Sequence, residues 1–497
     1  MTRFDGVSRL VRSRLDPILA VTLAAATFVV HDVTYLARAP YWLDETWVAV
    51  TTRFPLRNLP ELTASTPIGW SALLRVGGLD VAQRARLVPL VFSAGCVLLA
   101  YGLAARLQGR PAAVLAALAV LLCPSSLVRN DLKQYTADAF FALLILLLTD
   151  LAERRPSRRR LIALVSAIVG GFLFSAAAGL VGVVSVLALA GQARERRRLL
   201  DRAVAAVAVT LGLAVIYLGC YRPGQPAGLT AYWRGYYLPW RAGPRASLTF
   251  LDRRASALAG YLGLHSLVVA LALVTAGVVA LRRAGHRAVA MAFPLLLLLM
   301  IGLGAAGRYP LFDERTSHFV TVVTAVLAAV GAGALLRALR PRLVTVLLTV
   351  LAVAAFVLPD RHLLRDHSIP AEDLRTPTEY VLAHRRAGDV IVLSMLSSWG
   401  FAFYSRIEPL HRVAVTANLQ GYVVGLPDPA IVVATDRAAD GVTAALTRAR
   451  RLVAPGGHIW IVREHVSPAE AAAWRDALAG RQARPVLGER LLAVSAP

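Results

Sequence analysis

Three short stretches set charged residues between long apolar runs. YWLDETW places Asp44 and Glu45 side by side, RNDLKQY places Asp131 and Lys133 two residues apart, and GRYPLFDERTSH gathers Arg308, Tyr309, Asp313, Glu314, Arg315 and His318. Among 54 Lys plus Arg, Lys133 is the only lysine. An ionisable side chain at a membrane boundary pairs, faces a cavity, or costs several kcal/mol. Carboxylates and cations on three loops at one depth therefore point to a shared cavity, where a carboxylate moves a proton beside fixed positive charge. Singly, solvated loop residues explain each stretch, and drift towards arginine explains the lone lysine; the cavity explains them together.

Such loops need elements to carry them, and the composition says which. With 57% hydrophobic and 17% charged residues over 497 positions, the chain reads as a polytopic α-helical membrane protein. The net charge of +24 is carried in short bursts between apolar runs: RLVRSR, RLQGR, ERRPSRRR, RERRR, LRRAGHR and RALRPR. That is the positive-inside pattern, and no aromatics interleave with the bursts as on a single-strand binding groove, so no nucleic-acid partner is expected. Runs of about 20 apolar residues predict spans near 15–36, 86–105, 111–128, 135–152, 161–175, 177–192, 203–221, 256–281, 288–307, 317–336 and 343–358. The pair at 161–192 has little room for a turn in GGFLFSAAAG. With a cytoplasmic N-terminus, about eleven crossings place every burst on the cytoplasmic side, whereas merging that pair puts RERRR and all later bursts outside. Eleven are therefore expected. Cys96, Cys123 and Cys220 fall in apolar runs and read as small buried hydrophobes. His265, in YLGLHSLVV, reads as a mid-span histidine bonded to a neighbouring helix.

This parity puts 37–85, 129–134, 222–255 and 308–316 on the far side of the membrane. In the first, RFPLRNLPEL and TPIGWSALLRV suggest short helices lying in the interface, with Trp42, Trp47 and Trp70 as belt residues. In the third, AYWRGYYLPW reads either as interfacial anchoring or as a wall for a sugar or lipid headgroup. Residues 1–358, including the loop 37–85, form the membrane module. Residues 359–497 have the composition of a small extracytoplasmic soluble α/β domain: DVIVLS, AIVVAT and HIWIV read as strands, TPTEYVLAHRRA and DGVTAALTRARRLV as helices. VAPGGHIWIV reads as a PGG turn feeding a strand; no glycine-rich loop follows an earlier strand as in a methyltransferase.

The order and side of these motifs carry a resemblance. An Asp-Glu pair in the first exterior loop, TPIGW further along it, an acidic-x-Lys-Gln-Tyr-x-x-Asp segment entering the fourth span, and GRYP after a later span resemble the GT-C superfamily of polyprenyl-phosphate-sugar glycosyltransferases. The similarity covers roughly 15–340 and is nearest the branch with protein O-mannosyltransferases and the lipid A aminoarabinose transferase. It departs at Asp131, where glutamate is expected, and in LFDERTSH, which is more acidic than expected. The resemblance implies an integral plasma-membrane enzyme that moves a sugar from a lipid-linked monophosphate to an acceptor hydroxyl at the exterior surface, with inversion. Its partners would be the polyprenyl-phosphate sugar, a glycan, lipid or protein acceptor, and membrane lipids.

By the same match Asp44 takes the proton of the acceptor hydroxyl, and Glu45 is an adjacent or acceptor-binding carboxylate. Lys133 and Arg308, with Arg315 behind them, would face the departing phosphate, where a compact ammonium fits differently from a planar guanidinium. Asp131 either orients Lys133 or holds a divalent cation with another carboxylate; orientation is favoured, because no spacing specifies a metal site. Tyr135 and Asp138 lie one helical turn apart, and for Asp138 a helix-packing hydrogen bond and a cavity role both stand. Tyr309 supports the same site. The alternatives are a transporter or flippase of lipid-linked glycan, which should show midplane charges and repeats, and a non-catalytic glycan-binding scaffold.

Overall fold

The computed structural model describes residues 3–62, 66–76, 84–128, 131–193, 195–225, 228–338, 354, 358–364, 372–416 and 418–495, with side chains from residue 16 onward. They divide into two compact units. The first comprises Met1–Leu36, Arg86–Leu218 and Trp233–Ser368; the second comprises Ala37–Ala85, Gly219–Tyr232 and Ile369–Pro497.

The first unit is a bundle of helices. Arg84–Gln108, Tyr135–Arg154, Arg196–Gly224, Arg287–Ala305 and His318–Ala338 are long and apolar enough to cross a membrane, and Asp16–Val30, Arg110–Leu122 and Ala176–Gly191 are shorter apolar helices. The close pair at 161–192 is two helices, Arg158–Phe172 and Ala176–Gly191. Ser175 makes the short turn workable, because its hydroxyl accepts from Ala178 N at 3.1 Å and caps the second helix. The expected span 256–281 is instead two helices, Pro244–Tyr261 and Leu267–Arg283. Gly263 and His265 adopt positive φ between them, and Ser266 caps the second. His265 is thus a half-exposed turn residue rather than a mid-span one, its Nε2 2.8 Å from Asp360 Oδ2. The expected span 343–358 lies outside the described residues except for Ala354 and Leu358.

His318–Ala338 is the central helix, buried along nearly its whole length. It can approach Leu267–Arg283 closely because glycine stands on both sides of the crossing. A Cβ on Gly331 would lie 2.0 Å from Leu273 O, and one on Gly277 would lie 2.3 Å from Leu327 O. At one end of Tyr135–Arg154, buried Asp150 accepts from Arg106 Nη2 at 3.0 Å and meets His286 Nδ1 at 2.5 Å, tying three helices together.

The second unit is a three-layer α/β structure. Strands β1 (Val390–Leu393), β2 (His411–Ala414), β3 (Tyr422–Gly425), β4 (Ile431–Val433), β5 (His458–Val462), β6 (Ala483–Pro485) and β7 (Leu491–Ser495) form a five-stranded sheet of order β4-β1-β5-β7-β6 and an antiparallel hairpin β2-β3. β1 runs parallel to β4 and β5; β7 is antiparallel to β5 and β6. The PGG turn does feed β5, with Gly456 at φ 74°. Helices Ala439–Leu452 and Pro468–Ala477 cover one face of the sheet.

The other face is covered in part by residues of the early loop: Leu43, Trp47, Val50, Phe54 and Leu62 pack in one cluster with Ile391, Trp399, Tyr422 and Trp460. Trp47 Nε1 donates to Tyr422 Oη at 3.1 Å, and Arg53 pairs with Glu408 at 2.9 Å. Trp47 and Trp70 are therefore core residues of this unit and not interfacial belt residues. Each such burial contributes roughly 2–3 kcal/mol, which is why the apolar faces of these short helices pack on a sheet.

Candidate active site

The sequence-predicted residues fall in both units. Asp44 and Glu45 open helix Leu43–Thr51 in the second unit. Carboxylates suit the first turn of a helix, where unpaired N–H groups and the macrodipole favour negative charge. Glu45 is fully buried and one of its oxygens accepts from Trp42 N at 3.3 Å, so part of its role is to close the helix start. Asp44, half-buried beside it, is not used in that bond. The preceding backbone is anchored: Glu372 Oε2 accepts from Leu43 N at 3.0 Å, and Tyr404 Oη accepts from Tyr41 N at 2.7 Å. Asp44 is thus held on a rigid element rather than on a loose loop.

In the first unit, the short helix Pro124–Leu127 and the start of Tyr135–Arg154 bracket the bend 131–134. Asp131 and Lys133 are each 5% exposed within it. Enclosing an ammonium is costly unless anionic groups or a ligand compensate it. Tyr135 and Asp138 follow on the first helical turn, both buried. Asp138 accepts from Ser175 Oγ at 2.7 Å and from Ala177 N at 3.3 Å, so it is fastened to the start of helix Ala176–Gly191. Of its two readings, the helix-packing hydrogen bond is the one the geometry displays.

The loop 306–317 meets this segment. Asp138, Asp313 and Tyr135 are electrostatic neighbours of Tyr309. Enclosure by protein, then the carboxylates of Asp138 and Asp313, hold the Tyr309 phenol well above its usual range. The phenol stays protonated and donates to Thr316 O at 2.6 Å. Asp313 shapes the loop: its Oδ1 accepts from Arg315 N, Thr316 N and Thr316 Oγ1 at 2.9–3.1 Å. Arg315 is half-buried, whereas Arg308 is exposed, with Tyr237 as its neighbour. Lys133 is enclosed and Arg308 open, so the two cations occupy different environments.

Ser125 and Arg254 were not singled out from the sequence, although each joins a segment that was. Ser125 Oγ and His318 Nδ1 are 2.8 Å apart, joining Pro124–Leu127 to the central helix. The aromatic segment docks on the same loop: Leu238 N donates to Gly304 O at 3.2 Å, Leu311 N to Tyr236 O at 2.9 Å, and Trp240 Nε1 to Ala305 O at 3.0 Å. Arg254 lies over the Tyr236 ring, 4.0 Å from its centre. AYWRGYYLPW and His318 stood out in the sequence; Ser125 and Arg254 carried no such signal. Among the described residues no group of three His, Cys, Asp or Glu side chains is placed to hold a metal ion.

Residues 71–219 match the sequence profile of the dolichyl-phosphate-mannose-protein mannosyltransferase family. No curated protein sequence matches the chain significantly. Among solved structures, ArnT from Cupriavidus metallidurans bound to undecaprenyl phosphate is similar with a TM-score of 0.55 and 16% identity, over 96% of this chain and 97% of that one. The apo state of the same protein gives a TM-score of 0.54. The archaeal oligosaccharyltransferase AglB from Archaeoglobus fulgidus, in complex with an inhibitory peptide and a dolichol-phosphate, gives 0.56 at 13% identity, over 91% of this chain and 70% of that one. At these identities the likeness is one of fold. The chain shares its fold with these two proteins, its long apolar helices are those of an integral membrane protein, and the family profile and the solved structures agree with the resemblance drawn from its motifs.

Proposed function

We propose that the protein is an integral-membrane, inverting glycosyltransferase that moves a sugar from a polyprenyl-phosphate donor to an acceptor hydroxyl at the extracytoplasmic surface. The observation that carries this reading is the enclosure of the chain's single lysine, next to Asp131 and just before the Tyr135–Asp138 turn, inside the segment that matches the mannosyltransferase profile. A buried ammonium is suited to a phosphate that gains charge as it departs. The solved neighbours bound to undecaprenyl phosphate and dolichol-phosphate support a donor of that class.

In this mechanism Asp44 accepts the proton of the acceptor hydroxyl while its oxygen attacks the anomeric carbon from the face opposite the phosphate. The new C–O bond forms as the bond from the anomeric carbon to the phosphate oxygen breaks, and the electron pair leaves on the lipid phosphate. Lys133 stabilises that charge, with Arg308 and Arg315 at the more open side. Asp131 orients Lys133, Tyr135 and Tyr309 shape the wall, and Asp138 fixes the helix that carries them. Glu45 keeps Asp44 in register by capping its helix. The bundle lies in the plasma membrane with a cytoplasmic N-terminus, and residues 359–497 are extracytoplasmic.

Transfer from synthetic lipid-phosphate sugars by the purified protein tests this. Asp44→Asn is expected to lower turnover about 100-fold or more while donor binding persists. Lys133→Ala is expected to weaken donor binding about tenfold or more. Full activity in both variants would refute the mechanism.

A further inference from the structure

The second unit contains a polar cleft that this mechanism does not use. It encloses about 590 Å³, within the roughly 300–1,000 Å³ of small-molecule sites. Four stretches distant in sequence build it: Glu61 on helix Leu59–Leu62, the turn reaching Gln225, the hairpin residues around Arg412 and Asn418, and Thr435–Asp436 just beyond β4. Its position follows from the topology. The parallel strands β4, β1 and β5 end on one side, and the chain leaves β1 to reach β4 on its one flank and β5 on the other. Ligands of open α/β sheets bind beyond the carboxyl ends of such strands.

The cleft is pre-shaped. Asn418 Oδ1 accepts from Gln420 N at 3.1 Å and Gly421 N at 2.7 Å, and its Nδ2 donates to Tyr422 O at 2.8 Å. Arg412 lies over the Tyr422 ring, 5.8 Å from its centre. Asp436 Oδ1 accepts from Ala438 N at 3.0 Å, which sets the carboxylate's orientation and occupies only one of its oxygens. The side chains of Glu61, Gln225, Thr416 and Thr435 have no hydrogen-bond or ion-pair partner among the described residues. They are available to a ligand without breaking existing bonds.

The lining selects a ligand class. Two carboxylates, Glu61 and Asp436, outnumber the single cation Arg412, which disfavours a phosphate. Amides and hydroxyls supply the rest of the polar wall, and no large apolar side chain is present to take an acyl chain. Carboxylates accept paired hydroxyl donors, and amides both donate and accept. That mixture matches an uncharged, hydroxyl-rich molecule. We propose that the cleft binds a saccharide of two or three residues; on the glycosyl-transfer reading, on which this role rests, it docks the glycan acceptor.

The test uses full-length protein in lipid nanodiscs, with maltotriose, cellotriose and α-1,6-mannotriose as probes, followed by saturation-transfer NMR and calorimetry. At least one trisaccharide should bind wild type. The double variant Glu61→Gln/Asp436→Asn should weaken that binding about tenfold or more, with its melting temperature and its affinity for a polyprenyl phosphate unchanged. Glu61→Gln alone, on an exposed side chain, should weaken it in the same direction and guards against misfolding of the double variant. Asp44→Asn should bind the trisaccharide as wild type does, which separates this inference from the catalytic one. Three results would each overturn it: no probe binding, binding indifferent to these substitutions, or displacement of the trisaccharide by inorganic phosphate.

Discussion

At the scale of single residues, the environment decides what a charged side chain does. Asp138, buried five residues after Lys133, is fastened to Ser175 and Ala177. Asp138→Ala should therefore destabilise the bundle by about 1–3 kcal/mol, while Asp138→Asn, which keeps an acceptor oxygen, should retain most stability and activity; thermal melting and transfer assays on the pair check this. Glu464, just past β5, is 5% exposed and neither of its carboxylate oxygens is hydrogen-bonded. Burial, then the charge of Glu372, pushes its pKa up to about 9. The folded state then binds a proton that the unfolded state releases above about pH 4.3. The second unit should lose stability as pH rises from about 5 to 9, and Glu464→Gln should flatten that slope and gain on the order of a few kcal/mol at pH 8. Hydrogen exchange of β5 and β7 against pH measures it; an unchanged slope in the variant would contradict the assignment.

At the scale of elements, backbone contact sets the tolerances. Gly331 and Gly277 let the central helix and Leu267–Arg283 touch through their carbonyls. Gly331→Val should separate them and cost about 1–3 kcal/mol. Gly302→Ala, with nothing within 4 Å of the new carbon, should be neutral. Comparing their melting temperatures tests whether the crossing is limited by that glycine. The predicted span 256–281 failed for a related reason. Its mean hydropathy conceals Gly263 and His265, which take φ 76° and 47° and stop one helix before the next starts. The pair at 161–192, by contrast, was legible because charge parity required it, and Ser175 supplies the cap that makes so short a turn feasible.

At the scale of the whole molecule, the arginine bursts and the α/β unit should lie on opposite sides of the membrane. In a background lacking Cys96, Cys123 and Cys220, Arg158→Cys should be protected from a membrane-impermeant maleimide in intact cells. Arg484→Cys, exposed on β6, should be labelled. The reverse pattern would invert the proposed topology and remove the exterior site with it.

Apolar run length and arginine placement were enough to establish a helical membrane protein with a separate α/β segment, because both follow from local composition and from the cost of exposing polar backbone to lipid. The motif order was enough to point to the same likeness that the family profile and the solved structures give. Only the tertiary structure decided that Trp47 and Trp70 are core residues, that Glu45 caps a helix, and that Leu43, Trp47, Val50, Phe54 and Leu62 pack against the sheet. A tryptophan in a short amphipathic helix buries the same area against lipid or against β-strands. Which partner it finds depends on residues more than 300 positions away, and no local pattern encodes that choice.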